Sequence, residues 1–400
     1  MSALEHGASP AGSEPIGPGD AGPMLAYGDG AVDRVPDLVA GEDVTRVLLV
    51  CGRRSFEASG AARILEPLER RAAVQRWSGF SPDPDVDELA DGLAVLRDFG
   101  PDAILGVGGG SAMDTAKLLW AFAHIEGPSD LRAAARDGAR ADTRSGRLCL
   151  VPTTSGSGAE ATHFAVLYLG EQKLSIAGPS LHADTAVVDP ALTRSGSPTQ
   201  RATSGLDAVC QAIESLWAVG ATSTSRRLAS QALELALAHL EGFVAGGGAE
   251  DARAMALGSH LAGRAIDRSK TTAAHALSYG VTKQHGVVHG NAVALTLGAF
   301  LESHASAAPE DLQEGVDPEA HAAAVRRVLD ALGAATGAEG REAFTALVRR
   351  LGLPATPSEV GITSEEQRRA LVDTVNVERL GNNPRRFDAE ELAALLRRAG

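Results

Sequence analysis

Asp207 and Gln211 stand four residues apart in SGLDAVCQAIESLWA (204–218), an apolar stretch with helical spacing, so both side chains leave the same face. An acid and an amide at that spacing read as half of a metal site with one weak donor. TTAAHALSYGVTKQHGVVHGNAVAL (271–295) adds His275, His285 and His289. With Asp207, His275 and His289 make an N/N/O set that leaves room for a substrate oxygen, as a catalytic metal needs. The plainer alternative is a set of core histidines satisfied by hydrogen bonds. His285 and His289 form an i, i+4 pair, but Gly286 and Gly290 weaken a helix there. Gln211 has three readings: an amide-oxygen ligand, a group orienting a bound water, or a polar core residue.

A second chemistry is written in glycine. Gly106-Val107-Gly108-Gly109-Gly110-Ser111 ends a strand-like run and opens a helical one, where unobstructed backbone N–H groups favour a pyrophosphate. The run is not the GxGxxG fingerprint. PTTSGSG, with Thr153, Thr154 and Ser157, supplies another loop of hydroxyls and glycines after a strand, and the two loops together point to a dinucleotide. After VLLVCG, where an acid would bond the ribose 2′-hydroxyl of NAD, the chain has Gly52, Arg53 and Arg54. Two cations there suit a 2′-phosphate, so NADPH is expected to be accepted, with NADH as the alternative.

The elements that must position these residues fall into two kinds. VTRVLLVCG (44–52), PDAILGVGGGSAMDTAKLLWAF (101–122), RLCLVPTTSGSGAEAT (147–162) and TAVVDP (185–190) alternate with helical segments, which predicts an α/β layer on a parallel sheet. Beyond about residue 195 the pattern is of amphipathic helices separated by Gly, Pro and Ser turns. The 400 residues thus divide into an α/β dinucleotide-binding domain at 24–195 and an all-helical metal- and substrate-binding domain at 196–400. Residues 1–23, rich in Gly, Pro and Ser, lack the basic start and apolar core of a signal peptide and read as a disordered tail.

A net charge of −14 argues against binding to nucleic acid or acidic membranes. Cys51, Cys149 and Cys210 are far apart in apolar surroundings, which suits a reducing cytoplasm rather than a disulfide framework. No apolar run approaches the roughly 20 residues of a membrane span.

Taken in order, GGGSAMDTAK, PTTSGSGAEAT, GLDAVCQAIES and AHALSYGVTKQHGVVHGNAVAL resemble the iron-containing (group III) alcohol dehydrogenases over residues 24–400. The resemblance implies a dehydroquinate synthase-like fold: an N-terminal dinucleotide-binding α/β domain, a C-terminal helical domain and a site in the cleft between them. It adds Asp114 to the cofactor-binding residues. The family's usual ligands are one Asp and three His. Asp207, His275 and His289 match that set, Gln211 stands where the second ligand is a histidine, and Tyr279 stands where many members have a further histidine. Iron(II) is the metal implied, although zinc binds such donors more tightly. A homodimer is usual in the family.

DAVCQAIESLWAVGATSTS, RSKTTAAHALSY and NVERLGNNPRR further resemble the branch that reduces phosphonoacetaldehyde to 2-hydroxyethylphosphonate in phosphonate natural-product pathways, in which Gln211 is a branch trait. A phosphonate dianion needs charge-assisted donors, and Lys270, Arg379, Asn383 and Arg385 are the candidates. Tyr279 is the candidate for relaying a proton. The alternatives are a reductase of an uncharged small aldehyde such as lactaldehyde or butanal, a dehydroquinate synthase-like lyase, and a noncatalytic nucleotide-binding relative.

Overall fold

A computed structural model describes residues 22–136, 144–170, 172–246 and 248–400. The tail expected at 1–23 lies outside the described residues as far as residue 21. The strands β1 (Met24–Tyr27), β2 (Arg46–Cys51), β3 (Ala73–Trp77), β4 (Ala103–Gly108), β5 (Arg147–Pro152) and β8 (Thr185–Val188) form one sheet in the order β1-β8-β5-β4-β2-β3. Every pairing in it is parallel. The expected parallel sheet is therefore present, and β2, β4 and β5 show why. RVLLVC, AILGVG and RLCLVP are continuous apolar runs, buried on both faces because helical segments cover the sheet from both sides.

One cover is the helix Val86–Phe99, started by an Asp85–Glu88 capping box and stopped at Gly100. Its Leu89 and Leu93 pack with Leu48, Ile104 and Leu150 of the sheet. On the opposite face Val32, Val35, Phe56, Ile64 and Leu68 meet Val47, Leu49 and Leu105. Each such fully buried side chain stabilises the fold by about 1.5–3 kcal/mol.

The segment between β5 and β8 holds an antiparallel hairpin, β6 (Phe164–Leu169) and β7 (Gln172–Ala177). It forms a sheet of its own. The helix Gly110–Ala121 ties it down: Asp114 accepts the Val166 N–H at 3.0 Å, and Lys117 donates to the Phe164 carbonyl at 2.8 Å.

After β8 the described residues contain only helices and turns besides one isolated bridge. The helix Pro198–Trp217 starts at Ser197, whose hydroxyl accepts from Gln200, and has proline in its first turn. From Gly205 to Trp217 it is buried all round, so Asp207, Gln211 and Glu214, at i, i+4 and i+7, form a polar stripe facing protein. The loop after β5 joins the two halves. At Gly158 (φ +61°) a Cβ would lie 2.5 Å from the Gly263 Cα of the helix Ala249–Ser269. Only glycine lets these backbones approach so closely. No helix among the described residues is long and apolar enough to cross a membrane.

Candidate active site

Three helices converge on Asp207. His275 lies in the first turn of the helix Ala273–His285, and His289 is the first residue of the helix His289–Ala305. Asp207 Oδ1 is 3.3 Å from His275 Nε2 and 4.0 Å from His289 Nε2. Gly290 permits the approach, since a Cβ there would stand 2.0 Å from the Thr203 carbonyl of the Asp207 helix. The glycine that weakens the local helical pattern is thus what brings His289 to the site.

Glu214 holds His275 from behind. Its fully buried carboxylate accepts from His275 Nδ1, from the backbone N–H of Ala274 and His275, and from Thr272 Oγ1 at 2.7 Å. This contact directs His275 Nε2 toward Asp207, the arrangement that outer carboxylates impose on metal-binding histidines. Burial disfavours a charge on His275, but Glu214 and Asp207 outweigh it and raise the imidazole to about 10. The two carboxylates therefore create a demand for positive charge at this point. Burial also works against ionised Asp207, yet its hydrogen bond with His275 and the charges of His289, His275 and Lys173 hold it below the usual carboxylate range. Burial, followed by Lys173, lowers His289 to about 3. A neutral imidazole is the form that binds a metal.

Gln211 donates its amide N–H groups to Asp207 Oδ2 at 3.1 Å and to the Ser157 carbonyl at 3.3 Å. Its buried Oε1 has no hydrogen-bond partner. One carboxylate oxygen and two imidazole nitrogens, mutually within 4.8 Å and accompanied by an unpartnered amide oxygen, fit a divalent metal with mixed N/O ligation.

The cofactor candidates gather at the carboxyl ends of β2, β4 and β5. The chain moves outward from β2 to β3 and returns on the other side with β4, which makes the β2/β4 crevice a topological switch point. Gly52 follows β2, and a Cβ on Gly108 would come within 3.9 Å of its nitrogen. Gly109 caps the helix that begins at Gly110, so free N–H groups face the crevice mouth. Gly109 adjoins Thr154, Gly110 adjoins Ser157, and the Thr153 N–H bonds the Gly108 carbonyl at 2.8 Å, so the two loops form one rim. Arg53 is exposed beside it, its Nε bonded to the Ser78 carbonyl at 3.1 Å. Ser111 bonds the Pro82 carbonyl. Asp114, expected among the cofactor residues, gives its carboxylate to Val166 N–H and lies 3.7 Å from Lys117.

The residues expected to grip the substrate divide. Tyr279 is at the site, its ring stacked on His289 with centroids 6.0 Å apart. Burial opposes its ionisation, but Lys173, then Arg379 and His275, outweigh that and lower its pKa. Arg379 is 6 % exposed, and its buried Nη1 has no partner. The other three have different occupations. Lys270 forms a surface ion pair with Glu378. Asn383 accepts from His304 at 3.2 Å and donates to the Arg385 carbonyl at 2.7 Å, which pins a loop. Arg385 bonds Ser303, lies 3.7 Å from Glu391 and covers Phe387. Of the four residues expected to grip the anion, Lys270, Asn383 and Arg385 thus have partners within the protein, whereas Arg379 keeps an unpartnered nitrogen.

Two residues at the site were missed. Glu214 carries a signal, the i+7 position from Asp207 on a helix without another buried acid. Lys173 on β7 carries none, because only the hairpin brings it beside Tyr279.

Comparison with known proteins agrees with this geometry. Residues 23–190 match the family described as iron-containing alcohol dehydrogenase, and residues 201–400 match the C-terminal region of the Fe-containing alcohol dehydrogenase family. The chain is 34 % identical to a phosphonoacetaldehyde reductase of Streptomyces viridochromogenes, covering 93 % of this chain and 95 % of the relative. It is 27 % identical to a lactaldehyde reductase of Escherichia coli over 92 % of this chain and 96 % of that one. The structure of sulfoacetaldehyde reductase from Bifidobacterium kashiwanohense in complex with NAD+ superposes with a TM-score of 0.83 at 26 % identity, covering 95 % and 97 % of the two chains. With its parallel sheet, helical half and Asp/His cluster, this chain belongs to the iron-containing alcohol dehydrogenase family and is an oxidoreductase that acts on aldehydes.

Proposed function

We propose that the protein reduces phosphonoacetaldehyde to 2-hydroxyethylphosphonate with NADPH or NADH. The observation that carries this reading is Arg379, a buried guanidinium with an unpartnered Nη1 in an acidic protein, close enough to act on Tyr279 beside His289. The similarity to a phosphonoacetaldehyde reductase along nearly the whole chain supports it. A buried guanidinium nitrogen without a hydrogen-bond partner is costly unless an acceptor answers it.

Asp207, His275 and His289 would hold the divalent metal, iron by family, with Gln211 beside them. When bound, the metal supplies Lewis-acid polarisation of a carbonyl. The chain's own contribution is arrangement. Glu214 fixes the His275 ring, the joined glycine loops seat the dinucleotide, and the Gln211–Ser157 hydrogen bond couples the cofactor rim to the ligand helix. A bound reduced nicotinamide would supply the hydride for the aldehyde carbon, and the Tyr279 phenol is the nearby donor for the one proton that the alcohol oxygen requires. Products are the oxidised cofactor and the alcohol.

The test compares the iron-reconstituted enzyme on phosphonoacetaldehyde, sulfoacetaldehyde and propanal. A kcat/KM at least about tenfold higher for phosphonoacetaldehyde than for propanal is expected from the charge-assisted contact with Arg379. Equal values would remove the phosphonate assignment and leave a general aldehyde reductase. Arg53→Asp should lower kcat/KM for NADPH about tenfold or more relative to NADH, and an unchanged cofactor ratio would dismiss Arg53 as a phosphate contact.

A further inference from the structure

We infer that Lys173 and Arg379 form a two-cation clamp across the interface between the halves, with the Tyr279 ring as its wall, that binds the doubly charged end of the substrate. The inference deepens the phosphonate reading and rests on it. It differs from the expected grip in its main member, a lysine on a hairpin of the α/β half.

Lys173 projects from β7, and its Nζ lies 3.7 Å from the Tyr279 ring centroid. Among the described residues it makes no ion pair and no hydrogen bond. Arg379 approaches from the short helix Val377–Gly381, with Cζ 5.6 Å from the centroid of Phe164, the first residue of the same hairpin. Its neighbour Glu378 is engaged with Lys270. The hairpin thus contributes both the lysine and the aromatic surface under the guanidinium. Tyr279 in turn stacks on the candidate ligand His289.

The surroundings explain the sign of the ligand. Lys173 favours the ionised form of two acids, Asp207, within the His275 and His289 cluster, and Asp114, beside Lys117 and bonded to Val166 N–H. Neither is free to neutralise the clamp. Two cations from different directions suit a dianionic phosphonate better than a single negative charge. The clamp stands one aromatic ring beyond His289, which suits an aldehyde whose anionic group follows the carbonyl carbon by one methylene. The same placement predicts that the hairpin sets substrate selectivity without touching the metal cluster.

The experiment uses full-length, iron-loaded Lys173→Ala, Lys173→Arg and Arg379→Ala proteins. Two quantities are read: the ratio of kcat/KM for phosphonoacetaldehyde to that for propanal, and the inhibition constant of ethylphosphonate against propanal reduction. Lys173→Ala and Arg379→Ala should each lower the ratio by about tenfold to a hundredfold and weaken ethylphosphonate by a similar factor, the change following loss of one charge-assisted contact. Lys173→Arg should retain most of both. Because Arg379 is buried and its variant could fail to fold, the half-buried Lys173 carries the decisive arm. Parallel loss on both aldehydes, or ethylphosphonate inhibition equal to wild type in Lys173→Ala, overturns the clamp. If wild type shows no preference for phosphonoacetaldehyde yet ethylphosphonate inhibition depends on Lys173, the clamp stands and the substrate reading falls. A strong wild-type preference unaffected by Lys173→Ala keeps the substrate reading and removes the clamp.

Discussion

Two clusters among the described residues contain the same three side chains, one aspartate and two histidines, and they differ in how far their polar atoms are already engaged. In one, Asp207, His275 and His289 come from three helices of the helical half. In the other, His163 and His182 from the α/β half meet Asp267 of the helix Ala249–Ser269. The second cluster is closed by its own hydrogen bonds: Asp267 Oδ1 lies 2.7 Å from both the backbone nitrogen and Nδ1 of His163, and 3.1 Å from His182 Nε2. Its imidazoles are turned onto the carboxylate as a clasp between the halves. In the first cluster His289 Nε2 stands 4.0 Å from Asp207, beyond hydrogen-bond reach, and the Gln211 oxygen is unpartnered. Glu214 meanwhile anchors His275 through its other nitrogen. The contrast is that the same donor types can be closed on one another, as around Asp267, or leave a histidine and an amide oxygen unengaged behind an outer carboxylate, as around Asp207.

The strongest attempt to break this contrast is Asp207→Ala. Activity should fall about a thousandfold or more, since several kcal/mol of carbonyl polarisation depend on the metal. Elemental analysis should find one ion per wild-type chain and none in the variant. Full turnover by protein verified to be metal-free would defeat the assignment outright. Glu214→Gln comes next, with metal affinity reduced about tenfold to a hundredfold, as for other carboxylates behind a histidine ligand. Wild-type retention of metal against a chelator in that variant would reduce Glu214 to a packing role.

The smallest effect is expected at the clasp. Asp267→Asn should cost about 1–3 kcal/mol of stability while leaving the metal content at one ion. Loss of an ion from this variant would erase the difference between the clusters. The acid limb gives a second measure. Burial works against the Asp267 carboxylate, but hydrogen bonds to His163 and His182 hold its folded-state pKa well below the usual value. Its contribution is therefore present above the unfolded pKa of about 3.9 and is lost as pH falls toward the folded value. Denaturant titrations of wild type between about pH 5 and pH 2 should show that loss, and Asp267→Asn should show a shallower one.

The strands of the central sheet around 44–52, 101–108, 147–152 and 185–188 were legible because they are short continuous apolar runs bounded by turn residues, the first two running into glycine. β1 and β3 were not, because MLAY and AVQRW sit at the two edges of the sheet and bury too little for an apolar run. The β6–β7 hairpin was hidden for a related reason. QKLSIA is half polar and mostly uncovered, and its position comes from the contacts of Asp114 and Lys117 with β6 rather than from its own pattern. At the site, helical spacing linked only Asp207 and Gln211, and residue chemistry offered His275, His285 and His289 alike; the family resemblance chose His275 and His289 among them. Gly290 runs opposite to its local pattern, which suggests a weak helix where the fold has a close helix crossing.

By itself the sequence indicated the parallel sheet followed by helices and the two glycine loops, which follow from patterns within a few turns of helix or strand, while the candidate metal ligands Asp207, His275 and His289 came from the family resemblance. Tertiary structure alone decided which cations are left without a carboxylate partner beside the cluster. Lys270 and Arg385 look as available in the sequence as Arg379, but Glu378 and Ser303 occupy them, whereas Lys173 reaches Tyr279 from a hairpin far away in the chain. A charge is free or spent according to the partner that folding sets beside it, and that partner is rarely a neighbour in sequence.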